Sequence, residues 1–146
     1  MAEKILVIGA CGQVGTELVE NLQAIHGAAN VVASDIRKSD SAVFQNGAFE
    51  MLNVLDKAQI AEVFGKYKPS IVYHLAALLS ATAEANPKFG WELNMDGTFN
   101  IFDACLEYGV KRIFWPSSIA VFGPTTPAVM TPQSTILEPN TIYGIT

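Results

Sequence analysis

The stretch Lys4-Ile5-Leu6-Val7-Ile8-Gly9-Ala10-Cys11-Gly12-Gln13-Val14-Gly15 governs how the rest of the chain is read. An apolar run passes directly into three glycines spaced three apart, and a segment of helical period starts at once. In a strand–loop–helix unit each glycine has its own task. Gly9 permits the tight turn, Gly12 lets backbone approach a pyrophosphate, and Gly15 lets the helix pack close to the sheet. The exposed N–H groups of the helix N-terminus then face the phosphates. The spacing is G-x-x-G-x-x-G rather than G-x-G-x-x-G, and glycines also mark plain turns. Its place between a first strand and a first helix makes it a dinucleotide-binding loop.

Asp35 closes the next apolar run, 20 residues after Gly15. A carboxylate there can accept both ribose hydroxyl protons of the adenosine half and repels a 2′-phosphate, so NAD is favoured over NADP. The plainer alternative is that Asp35 caps the following segment. Arg37 and Lys38 lie close enough to tolerate a phosphate. Cys11 needs no redox role, because a crowded phosphate loop wants a small residue.

Outward from this unit, strand-like runs recur at Lys4–Ile8, Val31–Ser34, Phe49–Leu52, Ser70–His74 and Arg112–Trp115. They are short and mostly continuous in apolar character, as strands buried on both faces are. Between them three amphipathic helices are expected. The first follows Gly12, with Val14, Leu18, Leu22 and Ile25 on its apolar face, and ends at His26-Gly27. The second starts after the N-cap Asp56, gathers Ile60, Val63, Phe64 and Tyr67, and stops before Pro69. The third runs from about Glu92 to Tyr108, with Met95, Phe99, Phe102 and Leu106 on one stripe, Cys105 beside it, and Gly109 closing it. Asp35–Ala48 is polar, a loop or a short irregular helix. A further helix starts near Thr141. Strand–helix alternation of this kind means βαβ units and a parallel sheet.

The chain has 146 residues, 50% hydrophobic and 16% charged, with net charge −5. That length suits one domain, and the apolar content excludes intrinsic disorder. Nine Lys+Arg against fourteen Asp+Glu provide no basic field, which argues against a nucleic-acid partner. The Ile5–Ile8 run is too short for a signal-peptide core or a membrane span. Cys11 and Cys105 have no CxxC or Cys/His partner, so neither a metal site nor a disulfide framework is expected, and a reducing, cytoplasmic setting is the default. His74, at a strand end, reads as a hydrogen-bonded structural residue rather than a catalyst. The charge is uneven. From Ile113 to Thr146 the only charge is Glu138, among five of the seven prolines. Such a stretch looks like a surface meant to be covered, as in an incomplete chain.

Six features in order carry a resemblance: Gly9–Gly15, Asp35, His74-Leu75-Ala76-Ala77, Asn94 with Gly97-Thr98-Phe99-Asn100, Ser117-Ser118 and Tyr143. In this arrangement the chain resembles the extended short-chain dehydrogenase/reductase superfamily. The resemblance implies an α/β fold, a Rossmann-like doubly wound parallel sheet with helices on both faces, truncated before its last strands and substrate lobe. Residues 1–146 would form one incomplete NAD-binding domain. It implies that Gly9, Gly12, Gln13, Val14 and Gly15 cradle the pyrophosphate, that Asp35, Ile36 and Arg37 surround the adenosine ribose, and that Asn53 and Val54 flank the adenine. Many relatives carry Asp where Asn53 stands. Leu75, Ala76 and Ala77 would line the nicotinamide side, and Asn94 would brace the active-site helix.

Ser118 and Tyr143 would be the catalytic pair, 25 residues apart. Oxidising a secondary alcohol needs a base for the hydroxyl proton, and a free phenol with pKa near 10 must be shifted down to serve. The superfamily does this with a lysine four residues on, which here falls at the position after Thr146. Ser118 would hydrogen-bond the substrate oxygen. As given, the chain is expected to bind NAD and to turn over little.

Three segments narrow the likeness: 74–81 (HLAALLSA), 116–125 (PSSIAVFGPT) and 141–144 (TIYG). They are similar to the short-chain family of L-threonine 3-dehydrogenases, which implies oxidation of the threonine 3-hydroxyl to 2-amino-3-oxobutyrate in threonine catabolism. Ser80 then either holds the amino-acid head group or caps a helix. The competitor is a nucleotide-sugar epimerase or dehydratase. Many of those carry Lys in the loop where Leu78-Leu79 stand here, and dehydratases place acidic residues where Ile119 and Ala120 follow Ser118. A non-enzymatic NAD sensor on the same fold is a further alternative, although it would need neither Ser118 nor Tyr143. The resemblance also implies a homodimer, commonly formed through helices such as 92–108.

Overall fold

A computed structural model describes residues 3–146. Five strands, β1 (Ile5–Ile8), β2 (Val31–Asp35), β3 (Ala48–Met51), β4 (Ile71–His74) and β5 (Arg112–Phe114), form one sheet in the order β3-β2-β1-β4-β5. All four pairings are parallel. Ile5 pairs with Val31 on one side and with Ile71 on the other, which makes β1 the central strand. The chain builds outward from β1 through β2 to β3, then crosses back to β4. That reversal opens a crevice at the carboxyl ends of β1 and β4, where open α/β sheets bind ligands. The fold is Rossmann-like.

Alternation along β1 divides the core into two layers. Leu6 and Ile8 join Val32, Val72, Phe64 and Ile101 on one face, while Ile5 and Val7 join Val19, Leu22, Val31 and Ala33 on the other. The helices that cover these faces are α1 (Gln13–His26), α2 (Lys57–Tyr67) and α5 (Gly97–Glu107), the last preceded by a π-helical turn at Glu92–Asp96. Their ends follow the expected chemistry. Asp56 accepts from the N–H groups of Ala58 and Gln59, Gly27 leaves α1 at φ +82°, and Gly109 follows α5 at φ +70°. Asp35–Ala48 contains one 3₁₀ turn, Ala42–Gln45.

The apolar stripes differ from expectation on two helices. On α1 the buried residues are Gly15, Val19 and Leu22, while Val14 and Ile25 are exposed. Gly15 causes the rotation. A Cβ there would stand 2.3 Å from the Gly9 carbonyl oxygen, so the helix docks through its glycine, which stripe counting cannot see. On α5 the buried side is Ile101, Ala104 and Cys105, while Phe99 and Leu106 face outward. The π turn inserts a phase shift between Met95 and Phe99. Gly97 then seats against Val54, where a Cβ would come within 2.7 Å of the valine side chain.

Two short helices were not foreseen: α3 (Ser80–Ala85) and α4 (Pro87–Trp91). Each is too short to show a period. Asn86, which accepts from the Phe89 N–H ahead of Pro87 at the first helical position, was the available signal. The final turn, α6 (Ile142–Ile145), starts at Thr141 as expected.

Candidate active site

The glycine loop leaves β1 with Gly9 at φ +84°, and a Cβ on Gly9 would lie 2.7 Å from the Ala76 nitrogen. The loop therefore touches the segment after β4, and both line the crevice. Gly12 is different. A Cβ there meets only the Gly9 oxygen, at 3.4 Å, an ordinary contact. Nothing within the protein requires glycine at position 12, so its missing side chain leaves room for an approaching group. No side chain caps the first turn of α1, and no acidic residue lies in it. Open N–H groups beside an empty Cβ position fit a pyrophosphate.

Asp35 stands at the end of β2, where its carboxylate accepts from the N–H of Cys11 (2.9 Å) and of Arg37 (3.3 Å). The first bond ties the glycine loop to the end of β2. Ile36 beside it is exposed. Asn53 Oδ1 accepts from the Leu55 N–H, making the turn into α2, and Val54 is buried in the core with its carbonyl accepting from Asn100. Cys11 donates from Sγ to the Arg37 carbonyl, and burial pushes the Cys105 thiol up to about 11, too high for a reactive thiolate.

At the other side of the crevice Ala76, Ala77, Asn94, Thr98, Trp115, Ser118 and Tyr143 line one cavity of about 230 Å³. Ser118 caps the 3₁₀ turn Ile119–Val121, its Oγ accepting from the Ala120 N–H. That bond leaves the hydroxyl hydrogen for another acceptor. Tyr143 lies in α6, which packs on the Ser118 turn through Gly144. A Cβ on Gly144 would come 2.1 Å from the Ala120 oxygen. Sequence reasoning quoted Gly144 within the TIYG segment without giving it a packing role, and its place beside Tyr143 was the only signal.

Asn94 is buried and spends its amide on the protein. Oδ1 accepts from the Leu78 N–H (2.7 Å), while Nδ2 donates to the Leu78 carbonyl (3.2 Å) and to Thr146 Oγ1 (3.0 Å). One side chain thus holds the loop after β4 and the end of α6. Ser80 is the first residue of α3 and lies outside the cavity lining. The N-cap position is Leu79, with no side-chain capping bond, so Ser80 is not the cap. His74 is 1% exposed, with Nε2 3.0 Å from Thr98 Oγ1 and Nδ1 without a partner. Burial lowers its pKa to about 4, so the ring is neutral near pH 7. Among the described residues no three of His, Cys, Asp or Glu cluster as metal ligands, and no helix is long and apolar enough to cross a membrane.

A parallel sheet with its topological reversal at a glycine loop defines a dinucleotide-binding domain of the Rossmann type. The comparisons with known proteins give its family. The model of the NAD dependent epimerase/dehydratase family matches residues 5–146. The chain belongs to that family, and NAD is its cofactor. An uncharacterized epimerase/dehydratase of Staphylococcus saprophyticus is 49% identical over 144 residues, which cover 98% of this chain and 45% of the relative. The structure of L-threonine dehydrogenase from Clostridium difficile superposes with a TM-score of 0.92 at 44% identity, covering 99% of this chain and 45% of that one. UDP-glucose 4-epimerase of Thermus thermophilus, in complex with NAD, superposes with a TM-score of 0.87 at 25% identity, over 97% and 46% of the two chains. The chain thus spans about half the length of the relatives it matches.

Proposed function

We propose that the protein carrying this chain is an NAD-dependent dehydrogenase that oxidises the 3-hydroxyl of L-threonine to 2-amino-3-oxobutyrate. The observation that carries this reading is the convergence of Ser118 and Tyr143 on one cavity with Ala76, Ala77 and Asn94. The likeness to an L-threonine dehydrogenase at 44% identity supports the substrate. Bound NAD supplies the hydride acceptor. Tyr143 takes the hydroxyl proton on its phenolic oxygen, and Ser118 donates its remaining hydrogen to the substrate oxygen as charge develops there. A phenol needs a nearby cation to act near neutral pH, a role that fits a lysine following Thr146. Ser80, whose hydroxyl caps nothing, is the residue proposed for the amino-acid head group.

The working form proposed is a cytoplasmic homodimer. The outward Phe99 and Leu106 of α5 support it, since large apolar side chains grouped on one face favour burial against a partner. The test is turnover of L-threonine with NAD by the protein expressed with whatever its gene places after Thr146. Tyr143→Phe is expected to lower kcat by at least about 100-fold, the scale of a lost general base, with NADH affinity unchanged. Undiminished turnover by that variant overturns the reading. A sugar-nucleotide substrate turned over in place of threonine would favour the epimerase alternative.

A further inference from the structure

We infer that Glu84 is a positioning residue for Tyr143, acting as a latch on the start of the helix that carries it. The inference rests on the reading of Tyr143 as the base. Helix α6 is a single turn, and one turn has too few internal bonds to hold its own place. Its position is set by what grips its ends. At the start, the N–H of Gly144 donates to Thr141 Oγ1 (3.0 Å), a bond within the segment itself. The N–H of Ile142, immediately before Tyr143, donates instead to Glu84 Oε1 at 2.5 Å, across 58 residues of chain. At the far end Asn94 Nδ2 donates to Thr146 Oγ1.

Glu84 can serve as a fixed point because of what lies beside it. Its neighbour Ala83 is fully buried, and Gly90 of α4 seats so closely on Ala83 that a Cβ there would stand 3.1 Å from the alanine Cβ. Helices α3 and α4 thus form one packed corner, with the Glu84 carboxylate projecting to α6. Glu84 does not line the cavity, whereas Tyr143 does, so its influence on substrate passes through the tyrosine. A carboxylate accepting from a backbone N–H is a charge-assisted bond, stronger than one between neutral groups. The latch also joins two parts of the proposed site. Helix α3 begins at Ser80, so the residue proposed for the head group and the residue proposed as the base are tied to one rigid corner.

The experiment combines kinetics with amide hydrogen exchange on the protein expressed with whatever its gene places after Thr146. Glu84→Ala is expected to lower kcat about ten-fold, the scale of one bond to a charged group, with KM for NAD and NADH affinity unchanged. The Ile142 amide should exchange about ten-fold faster or more. Glu84→Gln keeps an acceptor oxygen and should restore kcat to within about two-fold and most of the amide protection. Unchanged kcat and exchange in Glu84→Ala overturn the latch. So does a Glu84→Gln variant as damaged as Glu84→Ala, or a loss of NADH binding that parallels the loss of turnover. Tyr143→Phe separates the two levels. If that variant keeps full turnover, the base assignment falls, while the Ile142 exchange rates still report whether the latch exists.

Discussion

The two walls of the crevice are built by different means. The glycine-loop wall, Gly9 to Asp35, is assembled from neighbours in sequence: a buried strand, a loop and the helix it starts, closed by the Cys11–Asp35 bond. The opposite wall, Ser118 and Tyr143, has almost no core of its own. Ile119, Phe122, Val129, Met130, Ile136 and Leu137 are exposed, and the wall is located by long-range contacts at Gly144, Asn94 and Glu84. Stability should therefore reside in the first wall and catalytic precision in the second.

Gly15→Ala is expected to have the largest effect on stability. Its Cβ would meet backbone at 2.3 Å in the middle of the core, and overpacking on that scale costs about 3 kcal/mol or more, read as a fall in the urea midpoint. Gly144→Ala meets an equally close carbonyl, at 2.1 Å, but in a wall with little core. Turnover should drop about 100-fold, as for a displaced reacting group, while the urea midpoint moves by less than about a third as much. Equal loss of stability in both variants would erase the contrast. Within the first wall, Gly12→Ala should leave stability within about 0.5 kcal/mol and weaken NADH about ten-fold, since its Cβ makes only an ordinary contact within the protein and would enter the space proposed for phosphate. Asp35→Ala should weaken NAD more than NADP by about ten-fold in a calorimetric titration, and equal losses would remove the ribose assignment.

A separate, pH-dependent effect comes from His74, buried at the end of β4 with Nε2 3.0 Å from Thr98 Oγ1. Its pKa is about 4 in the fold against 6.5 when unperturbed, because burial disfavours the charged ring. Between those values the unfolded chain binds the proton and the folded chain does not. Stability is then full above pH 6.5 and falls as pH drops toward 4, by at most about 1.4 kcal/mol per pH unit from this group. A urea series across that window measures the slope, which His74→Gln should flatten.

How much was legible follows the same division. The five strands, the Asp56 and Gly27 caps and the parallel architecture could be read because each signal is local: an apolar run, a carboxylate ahead of a helix, a glycine after one. The helix faces could not be read as reliably. Gly15 and Gly97 dock α1 and α5 by having no side chain, and the π turn shifts the phase between Met95 and Phe99. The proposed pair Ser118 and Tyr143 rests on resemblance and on their shared cavity, since a lone serine and a lone tyrosine have no local signature. The packing role of Gly144, Glu84 and the α3–α4 corner escaped because their partners are distant in sequence.

The sequence by itself determined the strand–loop–helix–strand unit Ile5–Asp35, because strand period, glycine freedom and helix polarity all act within a few residues. Only the tertiary structure decided which faces of α1 and α5 are buried, and how α6 is held between Glu84, Asn94 and Ala120. The reason is physical. A single helical turn, or a side chain of one atom or none, carries too little energy of its own to choose a position, so close contacts from elsewhere in the chain choose it.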